Sequence, residues 1–98
     1  MQITRTQSFK KQFRDIIFYI AKDKKDAARN FKNKLNNSID NLDNFPYKYR
    51  KSYYYDDENI RDMVFKSYTI IYRVNKDKNI IEILEIFNQN LPISKGIK

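Results

Sequence analysis

The segment Pro46 to Tyr55, PYKYRKSYYY, interleaves Lys48, Arg50 and Lys51 with five tyrosines and contains no acid. Cations meet phosphates and flat rings stack on bases, so these residue types at this spacing suit a nucleic acid. The same run also reads as a solvated basic loop whose tyrosines pack onto a sheet edge with their hydroxyls in water. A second group follows: Arg61, Tyr68, Tyr72 and Arg73. An arginine can stabilise charge developing on a phosphate and a tyrosine can position or donate a proton, the chemistry of metal-independent RNA cleavage. Strand alternation puts Tyr68 and Tyr72 on one face and Arg73 on the other. The face of Arg61 depends on register, which the sequence leaves open. The plainer account has both tyrosines packing in the core or at its rim and the arginines pairing with Asp62 or Glu82.

Two further clusters are weaker. Asn88-Gln89-Asn90 offers amides, which can hold a ligand by hydrogen bonds but do not move protons near neutral pH. Asp56, Asp57 and Glu58 are consecutive acids, an arrangement that repels and solvates more readily than it ligates a cation, so no metal is expected. The lysines at 10, 11, 22, 24, 25, 32 and 34 read as the solvated faces of helices.

Composition narrows the chemistry. The chain has 98 residues, 41% hydrophobic and 33% charged, which is enough for one globular domain and one core. Twenty basic residues against twelve acidic ones give a formal charge of +8, favouring a polyanion or an acidic protein as partner. Neither cysteine nor histidine is present, so disulfides, thiol nucleophiles, Cys-ligated zinc and His-based triads are excluded. With one glycine, Gly96, no phosphate-cradling glycine loop can be written, and no cofactor is expected. No apolar run nears the ~18 residues of a membrane span, which implies a soluble, cytoplasmic protein without a membrane partner.

The elements that must position these side chains divide at Pro46. Before it, Phe9, Phe13, Ile16, Ile17 and Ile20 form one helical stripe, and Ala28, Phe31, Leu35, Ile39 and Leu42 form a second. Ser8 and Asp26 are candidate caps, Lys22 to Asp26 a short connection, and Pro46 the stop. Such neighbours form an antiparallel helix hairpin, preceded by an edge strand at Gln2 to Arg5. After Pro46 the period changes. Ile60 to Phe65, Tyr68 to Val74 and Ile80 to Phe87 read as strands of an antiparallel meander, joined at Lys66-Ser67 and at Asn75 to Asn79. Both parities of the last strand are apolar, which predicts a central position. The predicted fold is α+β: an N-terminal strand and a two-helix hairpin on one face of a curved, mainly antiparallel sheet of about four strands. The hairpin shields one face, so the other is expected to stay open for a partner.

This order of elements resembles the RelE/ParE superfamily of type II toxin-antitoxin toxins. The likeness rests on Ala28-x-x-Phe31-x-x-x-Leu35, Pro46 with the following YKYR, Ile60-Arg61, Tyr68-Thr69-Ile70-Ile71-Tyr72-Arg73-Val74 and Ile83-x-x-Ile86-Phe87, over residues 2 to 90. The resemblance implies a toxin that arrests growth and a cognate antitoxin that wraps it and covers the open face. It implies one of two targets, the ribosome with its mRNA or DNA gyrase. In a nuclease, Arg61, Tyr72 and Arg73 would be catalytic, with a loop lysine such as Lys48 or Lys51 as a further proton carrier. Lys48, Arg50, Lys51, Tyr68, Asn88 and Gln89 are the candidate binding residues. The strand end lacks the His or Tyr of the nuclease branches, and the helix-hairpin pattern is ParE-like, so gyrase is the favoured target. A ribosome-dependent mRNA endonuclease, or a degenerate module that only binds RNA or protein, is the alternative. Residues 91–98 are expected to be a flexible tail.

Overall fold

The computed structural model describes residues 1–88; the expectations for Gln89 and for the tail at 91–98 lie outside the described residues. The chain runs β1 (Gln2–Arg5), α1 (Gln7–Asp23), α2 (Lys25–Asp40), a 3₁₀ turn (Asn41–Asp43), β2 (Arg50–Lys51), β3 (Ile60–Phe65), β4 (Tyr68–Asn75) and β5 (Ile80–Asn88). The fold is α+β, as the pattern predicts, but the sheet has five strands in the order β1-β5-β4-β3-β2. The additional strand is the two-residue β2, drawn from the basic tyrosine segment and paired antiparallel to β3. β1 pairs parallel to β5, with Gln2 opposite Ile80, while the remaining pairs are antiparallel. β5 therefore lies between β1 and β4, the internal place its two apolar parities require.

Local chemistry sets the helix ends one or two residues away from the predicted caps. Thr6, not Ser8, caps α1: its hydroxyl accepts from Phe9 N at 3.0 Å and donates to Leu84 O at 2.8 Å. Lys24 alone links the helices, and Asp26 lies in the first turn of α2, where its charge favours the helix dipole. Helical geometry ends at Asp43, before Pro46. The β3–β4 turn is the expected Lys66-Ser67 pair, with Lys66 at a φ of 57°, in the left-handed region.

A bulge resolves the double parity of β5. Ile71 pairs with Glu85 but Tyr72 pairs with Ile83, so Leu84 is the extra residue. Ile81, Ile83 and Ile86 thereby all reach the helix side. The backbone loosened at the bulge is satisfied from the helix side by Thr6 on Leu84 O and by Gln12 Oε1, which accepts from Ile86 N at 2.9 Å. The core consists of Phe9 from α1, Phe31, Leu35 and Ile39 from α2, Leu42 from the 3₁₀ turn, and Met63, Tyr68, Ile70, Tyr72, Val74 and the three β5 isoleucines from the sheet.

The opposite face departs from expectation. It is not left open, because residues 52–59 fold back across it. Tyr54 meets Phe87 edge-on, with ring centroids 5.2 Å apart, and the Tyr55 hydroxyl lies 3.0 Å from Glu85 Oε2. Ile60, Thr69 and Ile71, which belong to this face, are buried, while Val64 stays exposed. Tyr54 and Tyr55 of the basic segment are thus used by the chain itself.

Candidate functional site

Cross-strand register decides which functional side chains can meet. Arg61 is paired with Tyr72 and Ile60 with Arg73, so Arg61 and Tyr72 share the helix side whereas Arg73 points to the outer face. The three residues do not share a hollow. On the outer face, Arg73 Nη1 sits 3.2 Å from Glu82 Oε1, its own cross-strand partner. Arg61 and Tyr72 are both engaged in holding the loop between the 3₁₀ turn and β2. The Arg61 guanidinium donates to Tyr49 O at 3.1 Å and to Glu58 O at 3.0 Å, and lies 4.8 Å from the centre of the Tyr47 ring. Tyr72 has no solvent exposure and donates its hydroxyl to Pro46 O at 2.7 Å. Burial pushes the Tyr72 phenol well above its ordinary value of 10.0, against the opposing pull of the Arg61 charge. At neutral pH it is a fixed hydrogen-bond donor.

The candidate binding residues separate in the same way. Lys48 is exposed beside Tyr49, with Nζ 5.3 Å from the ring centre. Arg50 lies 5.1 Å from the ring centre of the exposed Tyr53, and its Nη2 is 3.4 Å from Asp62 Oδ2. Lys51 faces Asp56 at 3.5 Å. Tyr68 is a core residue set edge-on to Phe31, at 5.1 Å between centroids. Asn88 ends β5 opposite Tyr68. Lys48, Arg50 and Lys51 therefore remain on the surface, and Tyr68 lies on the buried side.

The register also exposes a residue to which sequence reasoning gave only a secondary role. Asp62, 1% exposed, accepts from Tyr53 N at 2.9 Å and from Arg50, so one buried carboxylate anchors the start of the tyrosine flap. Its other oxygen, Oδ1, and the Thr69 hydroxyl have no hydrogen-bond partner among the described residues. An aspartate on one face of β3, IRDMVF, flanked there by Ile60 and Val64, is the signal that marks it.

Two grooves flank the helices. One, of about 440 Å³, has Phe9, Phe13, Ile17 and Phe18 as its bed and Arg5, Lys10, Arg14 and Lys32 around it. The other, of about 530 Å³, lies between α1 and the end of β5 and includes Ile16, Tyr19, Ile86 and Phe87. Phe18 and Tyr19 are the most exposed aromatics on α1. Among the described residues, no three acidic side chains converge into a metal cluster, and no helix is long and apolar enough to cross a membrane.

This geometry agrees with a family pattern spanning the chain. The model of the family described as "ParE toxin of type II toxin-antitoxin system, parDE" matches residues 3–90. The chain belongs to the ParE toxin family. Among solved structures, it is similar to a chain of the chromosomal ParDE TA system from P. aeruginosa, with a TM-score of 0.71 over 90% of this chain and 95% of that one. At 14% identity that likeness is one of fold. The search of curated proteins gave no match. On this ParE-family chain the accessible features are the grooves along the hairpin and the basic loop clamped by Arg61 and Tyr72.

Proposed function

We propose that this ParE-family toxin arrests growth in the cytoplasm by binding DNA gyrase, and that a cognate antitoxin holds it silent. The observation that carries the choice of target is the separation of the proton-moving and charge-stabilising residues. Tyr72 is sealed against Pro46 O, Arg61 is bound to Tyr49 O and Glu58 O, and Arg73 faces the other way toward Glu82. Acid-base cleavage of RNA needs its groups within reach of one phosphate, whereas a toxin acting by occupancy needs surfaces. The antitoxin is expected to be acidic and amphipathic. The groove along the hairpin supports this, since it joins an apolar bed to four cations.

The test is purified protein on gyrase. Inhibition of supercoiling with trapped, cleaved DNA is the expected result, and no effect at large excess would remove the gyrase reading. Primer extension on translated mRNA serves as the counter-assay: codon-positioned breaks would move the assignment to a ribosome-dependent nuclease. Expression without a growth defect would point instead to a degenerate binding module.

A further inference from the structure

The end of α2, the 3₁₀ turn and the clamped loop line a hollow of about 300 Å³ that the gyrase reading does not use. Its lining includes the aromatic rings of Phe45 and Tyr49, the Ser38 hydroxyl, the Asn41 and Asn44 amides, and Lys48. Phe45 is 69% exposed, a large ring held at the surface beside Pro46. Tyr49 packs partly into the core, and its carbonyl is fixed by Arg61, so one wall is rigid. Asn44 Nδ2 reaches Asn41 Oδ1 at 3.5 Å, the limit of a hydrogen bond. That leaves an amide donor on Asn41 and an amide acceptor on Asn44 available to a ligand.

Charge around the hollow is one-sided. The neighbouring acids are engaged elsewhere: Asp40 faces Arg5 at 3.8 Å, and Asp43 holds the Met1 ammonium. Lys48 has no ion-pair partner among the described residues.

We propose that this hollow is a nucleotide subsite for single-stranded nucleic acid: an unpaired base stacks on the exposed Phe45 with Tyr49 as the fixed wall, Asn41 and Asn44 meet its edge, and Lys48 takes the adjacent phosphate. An aromatic face, amides able both to donate and to accept, and a cation without an acidic partner are what an unstacked nucleotide requires. An acidic peptide would use the lysine and leave the ring and amides unmatched. The volume, at the low end for small-molecule sites, suits one nucleotide.

The experiment measures binding by fluorescence anisotropy with labelled oligonucleotides of about a dozen nucleotides, as single-stranded DNA, as single-stranded RNA of the same sequence and as duplex DNA. Phe45 and Lys48 are exposed, so Phe45→Ala and Lys48→Ala leave the core intact. Phe45→Ala is expected to weaken single-strand binding about tenfold with an unchanged salt dependence, the signature of a lost stack. Lys48→Ala is expected to lower the slope of log affinity against log salt by about 0.7, the value for one phosphate contact on a single strand. Lys25→Ala, which removes an exposed lysine at the start of α2, should change neither quantity. These signatures with either single strand support the subsite, and the DNA to RNA ratio identifies the sugar. Equal affinity for duplex, parental binding by Phe45→Ala, a Lys25→Ala effect as large as that of Lys48→Ala, or displacement by polyglutamate as effective as by oligonucleotide would each overturn it. Gyrase is absent from the assay, so its outcome is separate from the target proposed above.

Discussion

On the helix side of the sheet, Leu35, Ile39, Met63, Ile70, Ile81 and Ile83 meet in a layer with next to no exposure, and the neighbouring Tyr72 has its hydroxyl satisfied. On the outer side, a loop of tyrosines covers Ile60, Thr69 and Ile71, held by Asp62, by Glu85 and by one edge-on ring contact. The first cover is held by apolar area, which is non-directional and contributes about 25 cal/mol per Å². The second is held by a few directional contacts, two of them to carboxylates, above two polar atoms that find no partner among the described residues. The helix cover fixes the fold, whereas the flap, tied at its base by Ser52 N to Ile60 O at 2.7 Å, is expected to loosen when its Asp62 anchor is lost.

The comparison can be broken most forcefully from the helix side. Leu35→Ala and Ile83→Ala, at positions with no exposure, should each cost about 2–5 kcal/mol. A shifted denaturation midpoint with an unchanged slope is the readout. Loss of the flap anchor should cost less: Asp62→Ala is expected to destabilise by about 1–3 kcal/mol. Amide exchange should then quicken over residues 52–57 while α1 and α2 keep their protection. If helix protection fell equally, the two covers would be one cooperative unit and the contrast would fail.

Tyr72→Phe sharpens the picture at the clamped loop, with an expected loss of about 0.5–1.5 kcal/mol at neutral pH. The pH dependence gives a second reading. Because the folded phenol titrates above its unfolded value of 10.0, its contribution is complete below pH 10. It declines above that, where the unfolded chain releases the proton and the folded chain keeps it. The alkaline fall in stability should be shallower in the phenylalanine variant. The smallest effect belongs to the solvated surface. Lys11→Ala, which removes an exposed pair with Asp15 on α1, should change stability by no more than about 0.5 kcal/mol.

Much of this architecture was legible from periodicity. The stripes Phe9 to Ile20 and Ala28 to Leu42 gave both helices, and the β-branched runs gave β3, β4 and β5 with their turns. The double apolar parity of β5 signalled its internal place. The bulge at Leu84 was hidden because the side chains that satisfy its backbone are far away in the chain: Thr6 donates to Leu84 O and Gln12 accepts from Ile86 N. The separation of Arg61 from Arg73 was hidden because strand register is a property of paired strands. The tyrosine flap was missed for a related reason. Five tyrosines among cations look the same in sequence whether they await a ligand or pack on their own sheet, and Asp62, which anchors them, sits beside Arg61 in β3 with only Ile60 and Val64 on its face to mark its burial.

The side-by-side pairing of β1 with β5 has a consequence for when the toxin comes into being. Gln2 is paired with Ile80, and the Thr6 hydroxyl donates to Leu84 O, so β1 waits for β5 before it has a neighbour in the sheet. A growing polypeptide can form the hairpin of helices early, yet its sheet stays unfinished until β5 has left the ribosome. Products that stop short of β5 lack the strand that joins β1 to β4, so a folded toxin appears only once β5 has been made.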